Sequence, residues 1–442
     1  MASGPRSLDG DAAAGLGRFY SQHLFQQILP FWLGRAVDEE YGGYYTCISN
    51  SGGRLLHTHK LMWSQGRFVW VWARLAGQFP QHPEAPRYLE IARSGAEFLM
   101  RHALLPNGNC AFALDRQGNP ILLDAQGNAR QAEPGEDYDT STYADCFVVY
   151  GLSEFARVAR ERAAFDFACR LFHSMLMRLD SGRFITNPYP TPVGYKQHGI
   201  PMILLETGRE LALTADSFSA TSTASAIRCR CRSWVREIME SHCQPEQGII
   251  LEFVGSDNEP RADMLGTYIN PGHTLESMWF VMHHARETGD DRLARQTLPL
   301  VRRACELGWD ERYGGIVQFV HRDGGPPRGA VPAGQENSSM VDKLRHDWDT
   351  KQEWVHSEAL YALLLAGSYA REQWIDEWYW RVHDYTFATF PDPLPGMEWI
   401  GTRNRDGSPC DRVVHIPVKD PYHVPRSFMH IIRLLGLPAE AP

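Results

Sequence analysis

Residues 143–157 read YADCFVVYGLSEFAR, and the apolar side chains of this stretch follow the spacing of a helix face. Intervals of three and four residues match the 3.6-residue period of an α-helix, so the pattern predicts a helix with one buried face. That face consists of Ala144, Phe147, Val148, Gly151, Leu152 and Phe155.

The same period recurs along the whole chain and predicts two sets of helices. Helices with a charged outer face are expected near residues 12–32, 85–101, 163–178, 224–240, 288–305 and 372–389. Less polar helices alternate with them near residues 62–77, 143–157, 201–213, 271–286, 354–368 and 425–436. Twelve alternating helices with a repeat of roughly 60–80 residues are typical of a repeat architecture whose units have lost sequence identity.

A closed ring of six helical hairpins would bury the apolar stripes of every helix against its neighbours. The sequence therefore predicts an all-α protein, a single (α/α)6 barrel over residues 12–438 after a flexible N-terminus at residues 1–11. The less polar helices lie inside and all run in one direction, so their N-terminal ends meet at one mouth of the barrel. Short β-hairpins are expected at that mouth in residues 105–140, and a mobile loop or insertion in residues 320–346.

The composition is that of a water-soluble globular chain of 442 residues, 43% hydrophobic and 22% charged. Its 44 basic and 53 acidic residues give a formal charge of −9, and no basic run is interleaved with aromatic residues, which argues against a nucleic-acid partner. We find no long apolar window and no signal-like start, so no membrane partner is expected. Nine scattered cysteines are interpreted as reduced thiols of a cytoplasmic protein.

One motif at the start of a predicted inner helix carries a histidine. Asn270 is the expected N-cap, Pro271 the first helical residue, and His273 lies in the first turn with Glu276 on the same face. The positive end of the helix disfavours a charged imidazole, so we expect His273 to be neutral and able to accept a proton. The alternative is that Glu276 offsets the helix dipole and His273 merely fills the turn.

A second histidine, His423, precedes the last inner helix, with Arg426 one turn inside it. Other inner helices begin near Arg67 and near Glu358, so a guanidinium and a carboxylate join the two histidines at one mouth. Two imidazoles that face each other across a cavity could remove a proton from the carbon beside a carbonyl and return one to its opposite face. Arg67 would stabilise the enediolate oxygen.

At these positions the sequence resembles the N-acylglucosamine 2-epimerase family, whose relatives include cellobiose 2-epimerases and mannose or sulfoquinovose aldose–ketose isomerases. The resemblance covers nearly the whole chain and implies the (α/α)6 barrel. It is carried by Phe31-Trp32, Gly42-Gly43-Tyr44-Tyr45-Thr46-Cys47, Lys60, Trp63-Ser64-Gln65-Gly66-Arg67, Pro201-Met202-Ile203-Leu204-Leu205, Asn270-Pro271-Gly272-His273-Thr274-Leu275-Glu276, His356-Ser357-Glu358-Ala359 and His423-Val424-Pro425-Arg426.

The resemblance implies that the enzyme interconverts C2 epimers of a reducing sugar of the N-acylglucosamine and N-acylmannosamine type. His273 and His423 would be the paired acid/base residues and Arg67 the enediolate clamp, while Glu276 and Glu358 would orient substrate and imidazoles. Residues expected to contact the sugar are Lys60, Trp63, Glu252, Trp354, His198 and Arg426. The chain departs from the family pattern at residues 415–421 and at 198–201, and both changes would alter the sugar pocket.

Several alternatives stay open at this point. An aldose–ketose isomerase would use the same scaffold, a glycoside hydrolase would use two carboxylates such as Glu276 and Glu358, and a sugar-binding module would use no chemistry. We expect no metal ion and no required cofactor. Some relatives are stimulated by ATP, but the chain has no phosphate-binding glycine loop, so ATP activation and a homodimeric state stay open.

Overall fold

The computed structural model describes residues 6, 8, 10–124, 127–410 and 418–436 of the chain. Most of the predicted flexible N-terminus at residues 1–11 lies outside these ranges, as do residues 415–417 of the approach to His423 and residues 437–438 at the predicted end of the barrel. Within the described ranges, no helix has both the length and the apolar character needed to cross a bilayer.

The helices follow the predicted order closely. They are α1 Gly10–His23, α2 Leu29–Leu33, α3 Met62–Gln78, α4 Ala85–His102, α5 Thr142–Ala159, α6 Arg162–Asp180, α7 Gly199–Ser217, α8 Thr221–Arg236, α9 Met264–Thr267, α10 Pro271–Thr288, α11 Asp291–Gly308, α12 Ser339–His346, α13 Glu353–Gly367, α14 Gln373–Thr389 and α15 His423–Leu434. A π-helical turn, Leu24–Ile28, joins α1 to α2, and a second, Glu237–His242, extends α8. These segments include all twelve predicted helices.

Six helices form a closed inner ring, because each contacts the next and the last contacts the first. The order around the ring is α3, α5, α7, α10, α13, α15 and back to α3. Each inner helix also packs against one outer helix, in the pairs α3 with α4, α5 with α6, α7 with α8, α10 with α11, α13 with α14, and α15 with α1. The predicted (α/α)6 barrel is confirmed, with the less polar helices inside.

The closest approach in the ring joins α3 to α5, and glycines make it possible. An added Cβ at Gly66 would lie 2.1 Å from the carbonyl oxygen of Phe147, and one at Gly151 would lie 2.2 Å from the carbonyl oxygen of Gly66. Real side chains never come this close to a backbone, so only glycine allows the two helices to touch. This contact places the start of α3, with Arg67, beside the start of α5.

Short antiparallel strands lead the chain into the inner helices. They are β1 Lys60–Leu61, β2 Ala113–Leu114, β3 Pro120–Leu123, β4 Ala129–Arg130, β5 Tyr195–Gln197, β6 Cys243–Gln244, β7 Ile249–Ile250, β8 Phe253–Gly255, β9 Tyr268–Ile269, β10 Val320–His321, β11 Lys351–Gln352 and β12 Thr402–Arg403. The predicted hairpin of the 105–140 region is confirmed as β2 paired with β3, within a sheet of order β1-β2-β3-β4. Strands β1, β5, β9 and β11 each end next to the start of an inner helix.

The prediction of a mobile loop or insertion at residues 320–346 is wrong in part, because the segment contains β10 and α12. Ser338 caps α12 by accepting a hydrogen bond from the backbone N–H of Val341 at 3.3 Å. Val341 and Leu344 are buried in an apolar cluster with Phe253 and Phe319. These contacts with distant aromatic residues anchor the helix beside the barrel mouth.

Candidate active site

A cavity of about 860 Å³ opens at the mouth where the inner helices begin. Its size is within the usual range of about 300–1,000 Å³ for small-molecule sites. Each of the six inner helices contributes lining side chains from its first turns, which is the arrangement expected from the sequence. The lining includes Trp63, Arg67, Tyr143, Phe147, Met202, Glu206, Glu252, His273, Glu276, Lys343, Glu353, Trp354, Asp420, Tyr422, His423 and Arg426.

His273 is held at the start of α10 with one ring nitrogen left toward the cavity. The N-cap is the predicted one, because the Asn270 side chain accepts a hydrogen bond from the His273 N–H at 3.2 Å. The imidazole Nδ1 lies 2.9 Å from Glu252 Oε2, so Nδ1 carries the hydrogen and donates it to the carboxylate. That bond leaves Nε2 as the basic nitrogen, on a side chain that is 30% exposed.

The pKa of His273 is shifted in the opposite direction from that expected of the helix dipole. Burial by itself would lower the pKa of this imidazole, but the charge of Glu252 and its hydrogen bond together raise the pKa above the usual value. The helix dipole considered from the sequence is opposed by a full negative charge at 2.9 Å, and the nearer, larger charge dominates. His273 is therefore poised to hold a proton as well as to accept one.

Glu252 is itself fixed by a third residue. Its Oε1 lies 3.3 Å from His198 Nδ1, and His198 Nε2 lies 3.1 Å from the hydroxyl of Ser277. His198 is fully buried and does not line the cavity, so the prediction that it contacts the sugar is wrong. Because it sits behind Glu252, His198 positions the carboxylate that holds His273. Glu252 was expected as a substrate contact, and it lines the cavity while it accepts a hydrogen bond from His273 Nδ1.

His423 opens α15 and is backed by a carboxylate in the same way. Its Nδ1 lies 2.9 Å from Glu358 Oε1 and 3.1 Å from the Arg426 guanidinium, which leaves Nε2 as the nitrogen outside this cluster. Glu358 also accepts a hydrogen bond from Arg426 at 2.7 Å and one from the indole of Trp279 at 2.6 Å. Burial opposes the charge on Glu358, yet Arg426 and His423 bring its pKa down to about 2. A permanently charged carboxylate therefore stands behind each histidine.

Arg426 links the two histidine sites through two carboxylates. Its guanidinium is buried and bonds to Glu276 as well as to Glu358. Glu276 lies one turn after His273 on α10, and its Oε1 is 3.8 Å from His423 Nδ1. Arg426 and Glu276 line the cavity, whereas Glu358 is fully buried behind His423.

Both histidines line the same cavity, and both pack against the same indole. The ring centroid of Trp354 is 5.8 Å from that of His273 and 5.3 Å from that of His423. Trp354 lines the cavity between them, and Trp63, from the first inner helix, lines it too. The two imidazoles are therefore brought together as the sequence predicted.

Arg67 reaches the cavity as a guanidinium with no carboxylate within ion-pair distance in the described part of the chain. It stacks on Phe147 at 4.0 Å and on Tyr422 at 5.2 Å, measured from its central carbon to the ring centroids. An uncompensated guanidinium between two aromatic rings is suited to bind a negative or strongly polar oxygen. This placement agrees with the expected clamp.

Lys60 does not reach the cavity, so its predicted contact with the sugar is wrong. Its ammonium is 0% exposed and bonds to the Asp38 carboxylate at 3.0 Å and to the carbonyl oxygens of Gly42 and Arg116. Lys60 therefore joins a turn to the strand before α3. The turn sequence Asp-x-x-x-Gly-Gly at residues 38–43 recurs at residues 310–315, and Asp310 has an equivalent arrangement with Lys351 and Arg405.

Several ionisable residues that line the cavity were not singled out from the sequence, among them Glu353, Glu206, Lys343 and Asp420. Burial raises the pKa of Glu353 to about 8, helped by the charge of Asp420 nearby. Burial also raises the pKa of Glu206 to about 7, and it lowers that of Lys343 on α12 to about 7. Asp420 and Glu353 had a detectable signal, since Asp420 lies three residues before His423 and Glu353 directly precedes Trp354.

Two groups of residues have donor atoms close enough to hold a metal ion. They are His198 with Glu252 and His273, and Glu276 with Glu358 and His423. In each group the same atoms are already engaged with one another through hydrogen bonds or ion pairs. A metal ion would have to displace these contacts. The arrangement is instead complete as two imidazoles whose Nδ1 atoms are held and whose Nε2 atoms can exchange protons with a ligand.

Comparison with known proteins adds the relatives of this architecture. The sequence profile described as N-acylglucosamine 2-epimerase (GlcNAc 2-epimerase) matches residues 43–427. The N-acylglucosamine 2-epimerase of Bos taurus is 29% identical over 405 residues, which is 90% of this chain and 86% of that protein.

Solved structures show the same fold. A cellobiose 2-epimerase from Bacillus thermoamylovorans superposes with a TM-score of 0.73 and 18% identity, covering 95% of this chain and 99% of that one. A D-mannose isomerase superposes with a TM-score of 0.69 and 16% identity, covering 94% and 97%.

Proposed function

The chain belongs to the N-acylglucosamine 2-epimerase family and is a sugar epimerase of the isomerase class, and we propose that His273 and His423 exchange protons on opposite faces of C2. One imidazole Nε2 removes the C2 proton of the open-chain aldehyde. The electron pair of the C–H bond becomes a C1–C2 double bond, and the π pair of the carbonyl moves to its oxygen. This forms an enolate, or an enediolate where C2 carries a hydroxyl. The other Nε2 delivers a proton to the opposite face, which inverts C2.

The observation that carries this proposal is that the Nδ1 of each histidine contacts a buried carboxylate. Each Nδ1 lies 2.9 Å from a buried carboxylate, Glu252 for His273 and Glu358 for His423. A carboxylate on Nδ1 fixes the tautomer and stabilises the imidazolium that forms after proton abstraction. Either histidine can therefore act as base in one direction and as acid in the other, which a reversible epimerisation requires.

Arg67 supplies the charge that the intermediate needs. The enolate or enediolate carries its negative charge on the former carbonyl oxygen, and a guanidinium already in place stabilises that charge without reorganisation. Because Arg67 faces the cavity without a carboxylate partner in the described part of the chain, its positive charge is directed to the ligand. Arg426 carries the same charge, but two carboxylates already neutralise it.

A glycosidase mechanism is disfavoured by the same contacts. It needs two carboxylates that flank a glycosidic bond, with one able to protonate the leaving group. Glu358 is fully buried and charged, and Arg426 binds both Glu276 and Glu358 from one side. These two carboxylates hold side chains instead of facing each other across a substrate.

We propose that the substrate is an N-acylglucosamine or N-acylmannosamine, in line with the relatives named above. The test is to incubate the purified protein with N-acetylmannosamine, mannose, glucose and cellobiose in deuterated water and to locate deuterium by NMR. Deuterium at C2 of both epimers of the N-acetylated sugar supports the proposal. Deuterium at C1 of a ketose would instead show an aldose–ketose isomerase, and release of new reducing ends from cellobiose would show a hydrolase.

The remaining parts of the proposal concern cofactors, the cellular compartment, ATP activation and the oligomeric state. All proton donors and acceptors in the scheme are side chains, so we propose catalysis without a metal ion or organic cofactor, which activity after dialysis against EDTA would test. The nine free thiols fit a reducing compartment such as the cytoplasm. ATP activation and a homodimeric state are hypotheses for titration and sedimentation experiments.

A further inference from the structure

We propose that Asp420 is a further catalytic residue, which opens the sugar ring together with His423 before the chemistry at C2. The inference rests on the proposed function, because a pyranose has no carbonyl beside C2. Its C2 proton becomes removable only after the aldehyde has formed. An epimerase therefore gains from a base for the anomeric hydroxyl and an acid for the ring oxygen, placed near the group that attacks C2.

The geometry places Asp420 beside the reactive nitrogen of His423. Its Oδ2 lies 3.5 Å from His423 Nε2, while its Oδ1 accepts the backbone N–H groups of Tyr422 at 2.7 Å and of His423 at 3.3 Å. The two backbone bonds fix the carboxylate, so Oδ2 has one orientation. The side chain lines the cavity and is 21% exposed, which allows both substrate and water to reach it.

This position corresponds to the anomeric end of a bound sugar. If His423 Nε2 faces C2, the atoms within reach of a carboxylate beside it are those attached to C2 and to its neighbours. O1 and O5 are two bonds from C2, so a carboxylate next to Nε2 can contact O1 while Nε2 contacts O5. The Asp420 and His423 pair then supplies one acceptor and one donor to the same hemiacetal.

Other carboxylates around the cavity are less suited to this step. Glu252 is held by two histidines, Glu276 is bound to Arg426, and Glu206 is bound to Arg209. Burial raises the pKa of Glu353 to about 8, so it is largely protonated at neutral pH and is a poor base. Asp420 is a cavity carboxylate whose second oxygen faces the Nε2 of His423.

The proton balance of the step is complete. Asp420 Oδ2 accepts the proton of the anomeric hydroxyl, and the O–H electron pair becomes the second bond of the C1 carbonyl. The C1–O5 bond breaks with its electrons on O5, and O5 takes the proton of protonated His423 Nε2. His423 is then neutral and ready to remove the C2 proton, or it regains a proton from water when it must act as the acid.

The test uses Asp420→Asn, because the amide oxygen still accepts the two backbone N–H groups while the base is lost. The matched control is Asp406→Asn, since Asp406 is exposed and likewise accepts a backbone N–H, that of Ser408 at 3.0 Å. Thermal melting confirms that both variants fold. Deuterium exchange at C2 is measured with N-acetylmannosamine and with its 4,5-di-O-methyl ether, which cannot close a furanose or pyranose ring.

We expect Asp420→Asn to lower C2 exchange of N-acetylmannosamine by about 100-fold or more, the usual size of a general acid–base contribution, and to leave exchange of the ether close to that of the wild type. Asp406→Asn should change neither. An equal loss with both sugars would overturn the inference, because Asp420 would then act through the position of His423. An undiminished exchange with N-acetylmannosamine would also overturn it.

A second measurement separates this inference from the proposed function. Anomer interconversion of N-acetylmannosamine is followed by NMR exchange spectroscopy with His273→Asn, which should lack inversion yet still open the ring. Adding Asp420→Asn to this variant should return anomer exchange to the rate in buffer. Persistent acceleration in the double variant refutes the role of Asp420. Wild-type protein without C2 exchange of either sugar refutes the proposed function, whatever happens to the anomers.

Discussion

Replacing Glu252 by glutamine tests the electrostatic part of the mechanism. Glu252 accepts a hydrogen bond from His273 Nδ1 at 2.9 Å and is 2% exposed, so water cannot substitute for it. The amide of the variant could keep the shape and a neutral hydrogen bond but not the charge. Without the attraction of the Glu252 charge, the effect of burial would dominate, and the pKa of His273 should fall.

The size of the effect follows from the bond that is lost. A hydrogen bond to a charged group contributes about 1.5–3 kcal/mol, and each 1.4 kcal/mol is a factor of ten in rate. The imidazolium formed after proton abstraction depends on this bond. We therefore expect kcat/KM to fall by about 10- to 150-fold when His273 acts as the base.

The pH profile gives the sign of the change. His273 must be neutral to act as a base, so activity in that direction falls as the pH drops through its pKa. In the wild type this limb lies above the usual imidazole pKa, because Glu252 raises the pKa of His273. In Glu252→Gln the limb should move to lower pH.

The assay is the rate of epimerisation against pH, from both epimers, beside Glu246→Gln as an exposed control with the same loss of charge. The control should leave the profile unchanged. An acid limb that stays in place in Glu252→Gln, or moves to higher pH, would show that Glu252 does not set the proton affinity of His273.

Three further substitutions test the packing. Arg426→Ala leaves two buried carboxylates without their cation and should lower the free energy of unfolding by about 3–5 kcal/mol. The control Arg433→Ala, at an exposed position of the same helix, should change it little. Chemical denaturation measures both. Gly66→Ala should lower the free energy of unfolding by at least about 1–3 kcal/mol, because the added Cβ overpacks the contact between α3 and α5. The added Cβ of Gly15→Ala would have no atom within 4 Å, so this control should be neutral or stabilising. Lys60→Met should lower the melting temperature and leave KM unchanged, because Lys60 is buried away from the cavity; a raised KM with an unchanged melting temperature would contradict this placement.

The barrel could be predicted from the sequence because its helices carry their burial pattern locally. The apolar face of residues 143–157 packs against both neighbours in the inner ring, and a period of 3.6 records that packing without knowledge of the partners. The same holds for the start of α10, where Asn270 and Pro271 mark the helix end and thereby place His273.

The contacts behind the histidines could not be predicted from helix starts alone. Glu252 comes from the link between β7 and β8, outside any inner helix, and contacts His273. Its charge opposes the helix dipole and raises the pKa of His273. His198 was expected at the sugar from the family resemblance, yet its ring contacts Glu252 and Ser277.

The errors at Lys60 and at α12 have a common cause. Lys60 lies next to the cavity in sequence, but its partner Asp38 belongs to a separate turn that no local pattern connects to it. In α12, Val341 and Leu344 are the apolar residues that are buried, and two residues are too few to produce a period. Both features depend on contacts between distant segments.

The most direct test of the central claim is to give each single variant, His273→Asn and His423→Asn, N-acetylmannosamine and its C2 epimer separately in deuterated water. With one imidazole on each face of C2, each variant should exchange the C2 proton of only one epimer, and the two variants should choose opposite epimers. Neither should convert one epimer into the other. Continued interconversion in either variant, or exchange of the same epimer by both, would contradict a pair of opposed histidines.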